Sequence, residues 1–187
     1  MLSKRSLMLL SLPLSAAAVL AVVPIQPAHT QPPQLDVPFV PTPEPVVEKM
    51  LDLANVKSGD VVYDLGSGDG RIVILAAQRG ARAVGVDIDP QRVREARANA
   101  QRANVGDRAE FRQGNLFDVN LAPASVVTLY LLPGVNLKLK PKLLKELRPG
   151  TRIVSHSFDM GDWKPARTAD VDGRKVHLWI VPERGRN

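Results

Sequence analysis

The stretch that most restricts what this chain can fold into is "VVYDLGSGDGRIVILAAQ", residues 61–78. A β-branched apolar run ends in an acid, glycines fall at 66, 68 and 70, and a helical pattern begins at once. Glycine loses more backbone freedom on folding than any other residue. Three in so short a span imply a bend that other residues cannot follow, or one that something approaches closely. A buried strand, a bend without side chains and a helix in direct succession open a βαβ unit.

The same rhythm continues downstream. "RAVGVD" (82–87) is a second apolar strand, followed by an amphipathic helix over 89–104 with Asp89 as N-cap and Pro90 in first position. "AEFRQG" (109–114), "SVVTLYLL" (125–132) and "TRIVSHSF" (151–158) read as the third, fourth and fifth strands. Between the last two, "VNLKLKPKLLKELRPG" reads as a helix broken or kinked near Pro141. Upstream, Thr42-Pro43 reads as an N-cap with proline in first position, ahead of the helix "EPVVEKMLDLANV". "RTADVDG" and "KVHLWIV" close the chain as a hairpin. The prediction is an α/β, Rossmann-like seven-strand sheet. It is mostly parallel, with an antiparallel C-terminal edge hairpin and helices on both faces.

The folded part is expected over 43–187, as one domain. Ahead of it, residues 1–30 join Lys4 and Arg5 to an apolar stretch from Leu7 to Val23 and a polar exit. This is the layout of a secretory signal, or of an anchor near the lower limit of a spanning helix. Basic residues before the apolar run keep that end inside. The domain is therefore expected to be exported or membrane-anchored, in a bacterium in the periplasm or at the inner membrane. Residues 31–42 read as a Pro-rich linker. The chain carries 25 bases against 19 acids. Two of the bases lie in the leader, and apart from "LKLKPKLLKELR" the remainder are interspersed with acids. That pattern fits a soluble surface better than a nucleic-acid footprint. The basic helix reads as a solvated face, or as a contact with an acidic membrane or partner. With no cysteine there is no disulfide framework, thiolate zinc site or cysteine nucleophile, and no His/Asp/Glu spacing suggests a metal.

Ligands of open α/β sheets bind at the carboxyl ends of the strands, where the glycine bend falls. Three readings compete. A Walker loop requires Lys-Ser/Thr after its last glycine, and Arg71-Ile72 stands there instead. A dinucleotide site, and with it an oxidoreductase, requires G-x-G-x-x-G, but this spacing is G-x-G-x-G. Asp64, two residues ahead of Gly66, would also repel a pyrophosphate. The third ligand is S-adenosylmethionine, which has a sulfonium, an ammonium and a carboxylate and no phosphate. Asp64 then faces positive charge, and Gly66, Ser67, Gly68 and Gly70 form the close-approach loop. Asp87, ending the second strand, accepts from ribose hydroxyls. Ile88 offers an apolar contact for adenine, and Asn115 an amide for its edge.

These residues resemble the class I, seven-strand S-adenosylmethionine-dependent methyltransferases. "PFVPTP", "DLGSGDGRIVI", "VGVDIDP" and "DMGDWKP" are similar to the ATP synthase c-subunit lysine methyltransferase family and its bacterial relatives, over about Pro38–Pro165. The resemblance implies cofactor contacts at Asp64, Gly66, Gly68 and Asp87, and N-methylation of a protein lysine. It also implies a hydrophobic N-terminal segment ahead of a short pre-domain motif. Asp87-Ile88-Asp89-Pro90 stands where that family often has Glu-Leu-Asn-Pro, and "LYLLPGVN" has no close counterpart. Methyl transfer from a sulfonium needs alignment and a deprotonated acceptor more than a catalytic signature. Past the fourth strand, Tyr130, Leu132, Pro133 and Asn136 are candidates for the acceptor site. Tyr130 would orient a lysine amine by hydroxyl and ring, or else be a core tyrosine. His156 reads as a general base or as a hydrogen-bonded core histidine. Asp159, Asp162 and Trp163 follow at the acceptor mouth. The Asn/Asp-Pro-Pro-Tyr signature of base and amide methylation is absent, which disfavours nucleic acid. An exported cofactor-binding scaffold without turnover is the alternative reading.

Overall fold

Along each central strand, successive side chains point to opposite faces, and here both alternations are apolar. Val62, Ala83, Val126 and Val154 pack into one core, whereas Tyr63, Val84, Val127 and Ile153 pack into another. A sheet greasy on both sides must be covered on both sides, and it is. The computed structural model describes residues 39–183; the expected leader, 1–30, and residues 31–38 of the expected linker lie outside the described residues, as do 184–187, whereas Phe39–Thr42, also expected as linker, are described.

Helices α1 (Glu44–Leu53), α2 (Arg71–Gln78), α3 (Pro90–Arg102) and α4 (Pro133–Glu146) surround seven strands. The strands are β1 (Val61–Leu65), β2 (Arg82–Asp87), β3 (Ala109–Gln113), β4 (Val126–Leu129), β5 (Arg152–His156), β6 (Arg167–Val171) and β7 (Arg174–Ile180). Their order is β3-β2-β1-β4-β5-β7-β6, parallel through β5, with β7 antiparallel to both β5 and β6. Helices α1, α2 and α3 bury Val46, Met50, Val73, Ala76, Val93 and Ala96 against the first face. The second face is covered by Val135, Leu139, Leu143 and Leu147 of α4 and its end, together with Leu121, Met160 and Trp179.

Two local expectations are corrected. Thr42 is not the cap of α1: the Pro43 carbonyl takes that place, accepting from the Val46 and Val47 amides, and the Thr42 side chain goes elsewhere. Helix α4 begins at Pro133 and runs through Pro141 to Glu146 without a break. Pro141 lies on the exposed side of α4, where solvent can reach the carbonyl it leaves free.

The parallel register sets Asp64 of β1 beside Gly85 of β2 and Thr128 of β4. At the opposite end of the sheet, the Ser125 hydroxyl donates to Asp60 (2.8 Å) and accepts from the Val61 amide (2.9 Å). Arg152 pairs with Asp60 and donates to the Ala54 carbonyl (2.7 Å). This network ties the starts of β1, β4 and β5 to the end of α1. Among the described residues no helix is long and apolar enough to cross a membrane.

Candidate active site

Strands β1 and β4 diverge to helices on opposite faces, and a crevice opens at their carboxyl ends. The glycine loop forms its floor. Gly68 has φ 53° and donates its N–H to Asp87 Oδ2 (2.8 Å), and a Cβ there would collide with the Phe39 ring. Gly70 has φ 84°, and a Cβ would lie 2.7 Å from the Phe111 ring and 2.9 Å from Ala96 Cβ. The glycines are thus required by the left-handed backbone and by the protein's own side chains closing on the loop. Asp87 fastens the loop with one oxygen and accepts the Asp89 N–H with the other (2.9 Å). Each oxygen keeps a further lone pair for a ligand hydroxyl.

Asp64 is 2% exposed, and Thr128 Oγ1 donates to its Oδ1 at 2.7 Å. Burial pushes its pKa up to about 7; the Thr128 bond opposes this, and the charges of Asp87 and Asp69 add to it. A cation at about 4 Å would recover about 4 kcal/mol at an effective dielectric of 20, and a phosphate would lose as much. The crevice is lined by Asp64, Asp69, Asp87 and Asp89, against Arg71 and Arg92. Both arginines are already engaged. Arg71 clamps Asp69 with Nε (3.0 Å) and Nη2 (2.6 Å) and donates Nη1 to the Thr42 carbonyl (2.9 Å). Arg92 pairs with Glu95 (2.6 Å) and lies 4.7 Å above the Phe39 ring. The Ser67 hydroxyl is buried without a hydrogen-bond partner. It is admitted because Gly85, opposite, has no side chain: a Cβ there would lie 2.7 Å from Ser67 Oγ. A crevice with net negative charge and an orphaned hydroxyl fits a cationic, hydrogen-bonding ligand.

Tyr130 and Leu131 form the wall beyond β4. The Tyr130 ring stacks on His156 at 3.9 Å and 29°, with Phe158 nearly parallel at 6.3 Å. His156 is 1% exposed, and its Nδ1 lies 3.3 Å from the Thr42 hydroxyl. Burial first, and then Arg174, push its pKa down to about 4. Such an imidazole is uphill of a lysine ammonium by about 6 pH units, or about 9 kcal/mol, so it is ill-suited as a base.

The remaining sequence candidates fall elsewhere. Asn136 is fully buried, and its amide donates to Ser155 Oγ and to the Phe158 and Asp159 carbonyls, all at 3.3 Å; it holds the β5–β6 loop against α4. Leu132, which precedes α4 as its cap, and Pro133, its first residue, are both exposed. Trp163 packs on Trp179 at 6.2 Å, and its carbonyl accepts the Trp179 indole N–H (2.7 Å). Asp159 caps Gly161 N–H (3.0 Å), Asn115 caps Phe117 N–H (2.9 Å), and Asp162 pairs with Lys140. Neither Asn115 nor Ile88 lines the crevice, whereas Asp64, Gly66, Ser67, Gly68, Asp87 and Tyr130 do. Sequence reasoning passed over Phe39, Thr42, Arg71, Arg92 and Thr128. Thr128 was visible as a hydroxyl inside an apolar strand and Arg71 as the residue closing the loop; the convergence of Phe39 and Arg92 had no local signal.

Residues 64–167 match the family described as the ANTKMT methyltransferase domain. The chain is 49% identical to the protein-lysine N-methyltransferase of Saccharolobus islandicus over 79% of this chain and 95% of that protein. It is 38% identical to the mouse ATP synthase c-subunit lysine N-methyltransferase over 70% of this chain, but spans only 53% of that protein. The RNA methyltransferase of Salinibacter ruber, solved with S-adenosyl-L-homocysteine, is 58% identical and superposes with a TM-score of 0.77, covering 79% of this chain and 97% of that one. The chain belongs to the ANTKMT methyltransferase family. As an S-adenosylmethionine-dependent methyltransferase, it holds the site above in the part that the family match spans, from Asp64 onward. The wall residues Phe39–Thr42 precede that part. Among the described residues no group of acids and histidines is placed to hold a metal ion.

Proposed function

We propose that this methyltransferase acts on the Nζ of lysine in a protein. The observation carrying the proposal is the buried, Thr128-bonded Asp64 in a crevice of net negative charge, which favours cations in both the cofactor and the acceptor place. S-adenosylmethionine, when bound, supplies a methyl group already activated by its sulfonium. Asp64 and Ser67 would hold its charged and polar groups, and Asp87 the ribose hydroxyls. The chain's own work is then to orient and desolvate. Tyr130 and Leu131 wall the crevice above the glycine loop, and Tyr130 offers a hydroxyl and a ring face to an amine. The acids draw the lysine in as its ammonium, and the proton must then pass to solvent before the amine attacks.

The names of the Saccharolobus and mouse relatives support a lysine acceptor. The name of the Salinibacter protein supplies a second reading, RNA; the acids of the crevice oppose it, since they repel a phosphate backbone. The test is transfer of labelled methyl from S-adenosylmethionine to a protein extract and, separately, to RNA, with mass spectrometry of the product and Asp87→Ala as control. Label on lysine supports the proposal, and label confined to RNA replaces it. Cofactor binding with transfer to neither favours a scaffold without turnover. The leader carries a further part of the reading, that the domain is exported or held at a membrane. Fractionation and N-terminal sequencing of the native protein test it, and a cytosolic protein retaining residues 1–30 would reverse it.

A further inference from the structure

Thr42 and His156 are separated by 114 residues, yet the Thr42 hydroxyl and His156 Nδ1 share a buried hydrogen bond at 3.3 Å. Each is also tied to one side of the crevice. The Thr42 carbonyl accepts from Arg71 Nη1 (2.9 Å), and Arg71 clamps Asp69 of the glycine loop. The His156 ring lies against the ring of Tyr130, a residue that lines the crevice. The contacts Asp69–Arg71–Thr42–His156–Tyr130 therefore run from the cofactor loop to the acceptor wall. A core histidine would need a hydrogen-bond partner of this kind, but here the partner belongs to a residue that also anchors the loop clamp, and the ring it stacks on belongs to a residue lining the crevice. One needed as a base would require access and affinity for a proton, and burial with Arg174 nearby removes both.

We propose that Thr42 and His156 are positioning residues: Thr42 sets the plane of the imidazole, and the imidazole sets the plane of the Tyr130 ring against which the acceptor is aligned. The part concerning the acceptor rests on the lysine reading; the part concerning the ring does not. Alignment is the contribution an enzyme can make to a displacement at an activated methyl, and small misplacements are costly.

The chain has two tyrosines, Tyr63 and Tyr130, so full-length protein labelled with 3-fluorotyrosine gives two fluorine resonances. Thr42→Val, which keeps the shape and removes the hydroxyl, is expected to move the Tyr130 resonance and leave that of Tyr63. The kcat for lysine methylation should fall about tenfold with the KM for S-adenosylmethionine unchanged, and Thr42→Ser should restore both signals. Adding Thr42→Val to His156→Phe should cost less than the two separate losses combined, because both act through one ring. An unmoved resonance with unchanged kcat in Thr42→Val overturns the proposal. So does an acid limb in the pH profile that disappears in His156→Phe, which would make the imidazole a base. If the wild-type protein binds S-adenosylmethionine but methylates no lysine, the lysine reading fails and the fluorine spectrum alone decides: a Tyr130 shift in Thr42→Val upholds the positioning of the ring, and its absence refutes it.

Discussion

Asp64 concentrates the electrostatics of the site in one carboxyl group. Its pKa of about 7 in the folded apo-protein stands well above the ordinary 3.8. Between those values the native state holds a proton that the unfolded chain has released, so this group's contribution to stability falls as pH rises through the window. A cationic cofactor needs the ionised form, and binding below pH 7 expels that proton. Calorimetry in buffers of different ionisation heat should show proton release at pH 6 that fades by pH 8, with affinity rising to about pH 7 and then levelling. Asp64→Asn should bind more weakly at pH 8 and lose the pH dependence. Gly70 makes the complementary steric point. Gly70→Ala meets a left-handed backbone and the Phe111 ring, and should cost about 2–4 kcal/mol in urea unfolding. Gly114→Ala, with open space around it, should be nearly neutral.

Between elements, the starts of three strands are pinned by Asp60. Burial alone would raise its pKa, but the bonds from Ser125, Arg152 and the Lys57 amide, with the Arg152 charge, together hold it below the ordinary value. The stability this contributes is present above the unfolded pKa near 4 and is lost as pH falls through the depressed one. Arg152→Ala, which leaves the buried Asp60 without its counter-charge, should cost about 2–3 kcal/mol and move the acid-unfolding midpoint upward. In α4 the sign reverses. Pro141 occupies an exposed position in the helix interior, so Pro141→Ala should add about 1–2 kcal/mol after the unfolded-state entropy is counted. Thermal melts with and without cofactor check that the gain leaves binding unchanged.

Across the described molecule, Phe39–Thr42 joins elements distant in sequence. It lies over the glycine loop of β1–α2, contacts Arg92 of α3 and reaches His156 of β5. Phe39 is 43% exposed, so Phe39→Ala should scarcely alter stability. It should weaken cofactor binding about tenfold, chiefly by faster dissociation, which stopped-flow displacement would measure. Unchanged dissociation would mean that this segment covers the crevice without closing it.

The α/β fold was legible in the residue order, and so was the placing of Asp64, Gly66, Gly68 and Asp87 at one crevice, because a strand, its bend and the next helix are local and each leaves a periodic or punctuating signal; Ile88 and Asn115, expected beside them, lie outside that lining. Asp64, the glycines and Asp87 belong to that local grammar, and a single strand ending is enough to place each. The acceptor side was not legible in the same way. Asn136 and Trp163 looked like mouth residues from their place after a strand, but the packing of α4 buries Asn136, and the C-terminal hairpin holds the half-buried Trp163 against Trp179. Thr42 looked like a helix cap until a histidine 114 residues away claimed its hydroxyl. Contacts of that kind arise from chain crossings and sheet order, which no window of neighbouring residues encodes.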